Sequence, residues 1–332
     1  MGSLSDVTVF ILLAVFAGGC GGQLDLAADY LGQTPPTDFP VRFAPDLVST
    51  GHHEHSRIVF SPDGLEMYWA VIPVDPDFRP GTGRPFLSDQ QNIWFTRQSS
   101  AGWSKPRVLP VTENRSASSP ALSTSGSTLY YKSLDQHASP DERPRPRILY
   151  GATKKNGEWN DSVVVSNILP NEKGKASISF SFADNKNLYF DYGGPDETGA
   201  WRWEMYVSEY RNGEYDEPQL LPSGINGGEV DWCPWIGPDE SYLLWSSHRE
   251  GEAGSGDLYV SFHQADGSWG VPLNLGESIN TSDQERFPSV SPDGRYLFFA
   301  RTADNETYSD IYWVDAGIIF LSHNQGEYHA HQ

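Results

Sequence analysis

Apolar and aromatic residues in this chain come in short runs, separated by polar stretches rich in Gly, Pro, Asp and Ser. Runs of that length and punctuation predict β-strands, not helices. The pattern is complete from Glu285 to Ala316. An extended segment ends at Ser291-Pro292-Asp293-Gly294, an aromatic run covers Tyr296 to Arg301, and after a polar stretch a second run covers Asp310 to Val314. In the four-residue turn, Pro presets the backbone, Asp caps it and Gly takes the left-handed position that closes a hairpin.

The same order occurs four times upstream. The turns are Ser61-Pro62-Asp63-Gly64, Ser123-Thr124-Ser125-Gly126, Phe182-Ala183-Asp184-Asn185 and Gly237-Pro238-Asp239-Glu240, spaced by roughly 54 to 62 residues, a period expected of propellers or solenoids. Each turn leads to a strand (Met67-Tyr68-Trp69, Leu129-Tyr130-Tyr131, Leu188-Tyr189-Phe190, Leu243-Leu244-Trp245). Each of these is followed by a third strand (Ile93-Trp94-Phe95, Ile148-Leu149-Tyr150, Met205-Tyr206-Val207, Leu258-Tyr259-Val260). A fourth starts from a Gly turn and an aromatic residue, as at Gly102-Trp103 and Gly267 with Trp269. Four antiparallel strands form one propeller blade, and a blade cannot cover both its faces alone, so blades stack around an axis. The expected fold is all-β: a β-propeller of four-stranded antiparallel blades. The last repeat lacks a fourth strand and Phe39 to Pro45 is an orphan strand, so the expectation is five blades, with the N-terminal strand closing the last; six is the alternative. The 11 Trp, 16 Tyr and 16 Phe are expected mainly between blades.

The Ser-Pro-Asp-Gly turn, the strand Tyr296-Leu297-Phe298-Phe299 and the strand Asp310-Ile311-Tyr312-Trp313-Val314 resemble the WD40-like β-propeller repeats of the TolB family and of many bacterial envelope proteins. The resemblance runs from about Val41 to Ala316. It implies a propeller and leaves function open, because this repeat occurs in binding modules and beside catalytic domains alike. The second and third turns depart from the pattern, which bears on their geometry.

Upstream, Val7 to Ala17 is an apolar run too short to span a bilayer, and Ala17-Gly18-Gly19-Cys20 resembles a bacterial lipobox. The expected organisation is a lipoprotein signal over residues 1–19, a flexible tether over 20–38 beginning at a lipidated Cys20, one propeller over 39–322 and a disordered tail over 323–332. In lipoproteins an Asp after the Cys marks inner-membrane retention; Gly21 stands here, so an outer-membrane anchor in the cell envelope is expected. Lys and Arg number 23 against 44 Asp and Glu, a net charge of −21, which argues against nucleic acid and against electrostatic adhesion to anionic lipid. Within the folded part Cys233 is the sole cysteine, expected as a buried thiol.

The connections within strand pairs one–two and three–four are tight, whereas the others are long and gather at one end of the propeller, where binding is expected. Counted back from the turns, His55, Asp231 and Glu285 occupy equivalent positions at that mouth. Carboxylates there, with Glu54, are candidates for glycoside hydrolysis, which needs one acid and one base or nucleophile at a set separation. The favoured reading of these acids is that they cap blade starts and accept backbone donors there. His52-His53-Glu54-His55 contains metal-ligand types, but alternation in an extended chain brings at most one pair together, and no metal or cofactor is expected. Trp201-Arg202-Trp203 at the end of a long loop has the composition of a stacking platform. The expected function is a monomeric, non-catalytic scaffold that binds a protein partner or glycan at the long-loop face. Its candidate contacts are Glu54, His55, Trp201, Trp203, Asp231, Arg249, Glu285 and Arg301. The alternative is a glycosidase-like hydrolase using Glu54, His55, Asp231 and Glu285.

Overall fold

In a computed structural model, residues 30–75, 77, 87, 90–113, 115–135, 147–165, 168–170, 172, 174–249, 254–302 and 308–321 are described. The expected signal segment, Cys20, most of the long loops and the tail over 323–332 lie outside them. The described chain is nearly all β, in successive antiparallel groups that follow the five repeats. The first holds Val59–Phe60, Glu66–Ile72, Asn92–Ser99 and Arg107–Val108, and the second Ala117–Leu122, Thr128–Leu134, Arg147–Lys155 and Glu158–Val164. The third holds Phe180–Phe182, Leu188–Pro195, Trp201–Ser208 and Gln219–Leu220, and the fourth Val230–Ile236, Tyr242–His248, Asp257–Phe262 and Leu273–Asn274. Gln284–Val290, Tyr296–Thr302 and Ser309–Asp315 make the fifth, and Val41–Arg42 adds to its outer edge in the register Val41 to Trp313 and Arg42 to Tyr312. The orphan strand therefore pairs where the sequence leaves a strand missing.

The tight turns close alike despite their different sequences. Ser61 Oγ and Leu65 N donate to Asp63 Oδ1, Gly64 N donates to Ser61 O, and Ser291, Asp293, Gly294 and Arg295 repeat the set. Gly64 and Gly294 stand at φ 70° and 73°, the left-handed region where a Cβ is unfavourable. In the second turn Gly126 N bonds Ser123 O without an Asp. The third hairpin loop is one residue shorter and begins at Ala183, not at Phe182: Lys186 N donates to Ala183 O, Lys186 takes φ 73°, and Asn185 does the work of Asp63 by accepting from Asn187 N.

Apolar clusters fill the space between consecutive groups, and another joins the fifth to the first. That last cluster unites Met67, Trp69 and Val71 with Phe298, Ile311 and Trp313. Tyr68, Phe95, Leu129 and Tyr131 meet between groups one and two, Leu149 and Phe190 between two and three, Met205 and Trp245 between three and four, and Leu258 and Phe299 between four and five. Large aromatics suit this position because neighbouring twisted sheets diverge outward and leave wedges. The segment read as a tether is already part of this core at Tyr30, 3% exposed and in ring contact with Tyr296 and Trp313. A short helical turn over 317–321 seats Ile319 against the fourth and fifth groups. First strands of neighbouring groups are tied to one another in a propeller-like arrangement: Ser289 Oγ donates to Ile58 O, Ser119 Oγ to Ile178 O and Ser181 Oγ to Pro234 O.

The N-terminal strand is held by packing remote in sequence. Phe43 is fully buried against Phe298 and Trp313, and Phe43 N donates to Ile311 O. Phe43→Ala is expected to cost about 3–5 kcal/mol, the usual penalty for emptying a buried aromatic site. Denaturant unfolding checks this; a loss below about 1 kcal/mol would show that the strand does not contribute to global stability.

Candidate functional site

At the long-loop end, the residue that begins each first strand is set by strand register. The first strands of the second, fourth and fifth groups carry an irregularity that spends an extra residue, at Ser118/Ala121, Trp232/Trp235 and Arg286/Ser289. The first repeat spends one more: Glu54 pairs with Val71 and Val59 with Tyr68, so four residues oppose two. Glu54, and not His55, is therefore the counterpart of Asp231 and Glu285. The hydrogen bonds agree. Thr50 N and Oγ1 donate to Glu54 Oε1, as Thr281 N and Oγ1 donate to the Glu285 carboxylate, while Gly228 N donates to Asp231 Oδ2.

These carboxylates hold the blade starts. Asp231 is 1% exposed and also accepts from Trp245 Nε1 and Ser247 Oγ. Arg249 reaches it at 3.1 Å and donates to Gly224 O and Ile225 O; Arg301 reaches Glu285 at 2.8 Å and donates to Ile279 O. Each arginine ties a buried acid to the loop entering its blade. Both contacts expected to meet a ligand are thus engaged within the chain. In the first repeat Val71 stands opposite Glu54 where Arg301 stands opposite Glu285. Glu54 Oε2 has no hydrogen-bond partner among the described residues, and burial pushes the Glu54 carboxyl up to about 8. Burial likewise raises Glu285, against the opposing pull of Thr281 and Arg301.

His55 lies beside His53 and Phe287, with ring centroids 5.2 and 5.1 Å away. Burial, with Arg286 nearby, lowers His53 to about 3 and holds His55 well below the ordinary imidazole range, so both are neutral at pH 7.

Deeper on the axis lies a polar group that motif reading missed. The irregularities turn main-chain N–H groups off the ladder, and Asp191 collects three of them: Ile178 N, Ser179 N and Cys233 N. Arg57 crosses the axis, its Nη2 donating to Ser179 Oγ and to Pro234 O at 2.7 Å, and Lys132 Nζ donates to Ser177 O. Burial lowers Arg57 to about 10 and Lys132 to about 7, and raises Asp191 and the Cys233 thiol. One signal for this group is in the sequence. Register places Asp191 where the other repeats have Ala70, Lys132, Ser246 and Ala300, so a carboxylate stands at a second-strand position otherwise held by a small residue or by Lys132.

The tryptophans of the third repeat lie apart from the axis. Trp201 and Trp203 are stacked, with centroids 6.0 Å and planes 6° apart; Trp203 is 6% exposed and pairs with Val230 of the next group, whereas Trp201 is 48% exposed. Arg202, between them, lies within 3.6 Å of Asp196 and 4.0 Å of Glu229. The structure thus brings Glu54 and His55 together in one segment, pairs Asp231 with Arg249 and Glu285 with Arg301, and leaves Trp201 as the open member of the set.

No protein-family model matches the chain, and no curated protein matches it. Similar solved structures include TolB from Acinetobacter baumannii, at 11% identity and TM-score 0.42 over 78% of this chain and 56% of that one. A Dyadobacter fermentans protein of unknown function is similar at 10% identity and TM-score 0.49, over 85% of this chain and 83% of that one. Trypanosoma rangeli sialidase is similar at 12% identity and TM-score 0.45, over 86% of this chain and 59% of that one. The chain spans just over half the length of that TolB and that sialidase. At these scores no residue role is carried across.

Glu54 has a titration consequence. A carboxyl titrating near 4.5 in the unfolded chain and near 8 in the fold keeps its proton in the native state while the unfolded state loses it, so stability falls as pH rises across that window. Glu54→Gln removes the effect. The melting temperature of the variant minus that of the wild type is expected to increase from pH 5 to pH 8, read by calorimetry; a constant or shrinking difference would place the ordinary carboxyl titration at Glu54.

Proposed function

We propose that this chain is a five-bladed β-propeller, closed by its N-terminal strand and anchored to the outer membrane through lipidated Cys20. It acts as a non-catalytic, monomeric scaffold that binds a protein partner or glycan at its long-loop end. Support for five blades comes from the sheet groups, the clusters between each consecutive pair and between the last and first, and the pairing of Val41–Arg42 with Ser309–Asp315. A net charge of −21 disfavours nucleic acid as partner.

One observation carries the binding reading. Glu54, Asp231 and Glu285, the acids on which hydrolysis would depend, are each at most 1% exposed, and Asp231 and Glu285 are paired with Arg249 and Arg301, while Trp201 presents an open ring backed by the buried Trp203. A glycosidase requires two carboxyls open to the substrate. A flat indole held rigid by a second one suits a sugar face or an aromatic or cationic side chain at low entropic cost.

A glycan array and a panel of chromogenic glycosides on the purified protein test this. Saturable binding without turnover, weakened about tenfold in Trp201→Ala with unchanged melting, is the expected outcome. Turnover abolished in Glu285→Gln with unchanged melting would overturn it in favour of the hydrolase. For the anchor, mass spectrometry of membrane-extracted protein is expected to find a diacylglyceryl group on Cys20. An unmodified N-terminus at another residue would refute it.

A further inference from the structure

At the other end of the axis, where the first strands run into the tight turns, lies a cavity of about 330 Å³ to which all five repeats contribute. Its rim is formed by exposed Pro62, Pro238 and Pro292, its wall includes Phe60, Phe182 and Trp235, and its lining reaches inward to Arg57. The volume lies at the small end of the range for ligand sites, and an apolar wall with a few converging polar groups is their usual composition.

Arg57 makes this more than a gap in packing. It is 4% exposed, its Nη2 is engaged by Ser179 and Pro234, and its Nη1 is buried with no hydrogen-bond partner among the described residues. A charged donor left so is costly, and native structures satisfy nearly all of them. The surroundings do not balance its charge. Asp191 is the acid near it, and that carboxylate is shared with Lys132 and with three main-chain N–H groups. Arg147 also acts on Lys132, adding positive charge to the same axis. A chain with 44 acidic and 23 basic side chains thus concentrates cations at its centre. The lining contains one acid, Asp184, exposed at the rim where solvent screens it.

We propose that this axial cavity binds a small organic carboxylate, its anionic end paired with Arg57 and its apolar body against Phe60, Phe182 and Trp235. A carboxylate supplies the acceptor that Nη1 lacks in a low-dielectric site, where charge-assisted bonds are strong. The aromatic wall selects an aryl or alkyl body over a hydrophilic one such as citrate. The site is at the opposite end from the long loops and stands independently of the scaffold function proposed above.

The probes are 3-phenylpropionate, octanoate, 3-phenylpropanamide and citrate, titrated calorimetrically into the full chain. The two amphiphilic carboxylates are expected to bind at one site per chain, at least about tenfold more tightly than the amide or citrate. Equal affinity for the amide, or no binding of either carboxylate by the folded protein, overturns the proposal. Arg57→Gln is expected to abolish the preference for carboxylate over amide. Because Arg57 also bridges strands, a second variant, Thr124→Trp, narrows the rim without touching it; binding that persists unchanged in Thr124→Trp locates the ligand elsewhere and refutes the site. A hydrophobic peptide with a free C-terminus, compared with its amidated form, identifies the source of the carboxylate. Competition with 3-phenylpropionate by the free form alone assigns the site to chain ends, and no competition assigns it to small acids.

Discussion

Among the described residues, each repeat group packs apolar side chains against a neighbour on both its faces, and that constraint governs the rest. A strand such as Glu66–Ile72 is buried along its whole length, with Tyr68 and Ala70 packing toward the second group and Trp69 and Val71 toward the fifth. No single sheet of four strands can hide both faces from water, so each must lie between two others, and the first and last must meet. The pairing of Val41–Arg42 with Ser309–Asp315 and the burial of Tyr30 and Phe43 against Phe298 and Trp313 follow from that demand. That pairing also covers part of the sheet edge of the last group, which would otherwise be open to pairing with another chain.

Packing sheets around an axis creates a second problem at the centre, where main chains converge and side chains have little room. The irregular first strands solve it by turning N–H groups inward, with Ser119, Cys233 and Phe287 in the left-handed region at φ 52–56°. Donors so displaced require acceptors. Asp191 takes three of them, and the cost of burying its charge is offset by those bonds and by Lys132. The polar axis is thus a consequence of the same stacking that makes the wedges apolar.

The acids at the long-loop end show how a catalytic pattern and a structural one can share residue types. Glu54, Asp231 and Glu285 recur because each blade start must hold the loop that enters it, and the recurring Thr50 and Thr281 four residues earlier belong to the same device. Where an opposing arginine is present, as at Glu285, the acid has a charged partner; opposite Glu54 stands Val71, and burial keeps its proton on. Periodic acids in a repeat protein are read first as parts of the repeat.

The repeats, four of their five turns, the strand order and the missing outer strand of the last group are legible in the sequence. They depend on local properties: aromatic and branched residues in short runs, Gly at positive φ, and the count of strands per period. The buried Cys233 is legible for the same reason. Register at the axis is not. Whether His55 or Glu54 matches Asp231 depends on one additional residue in the first strand, which the spacing from the turn cannot reveal because bulges consume residues without changing the pattern on either side. Tyr30 enters the core, and Arg57 meets Ser179 and Pro234, across separations that local patterning does not encode. Only the packing of the sheet groups against one another decides which charged side chains become buried, and with what partners.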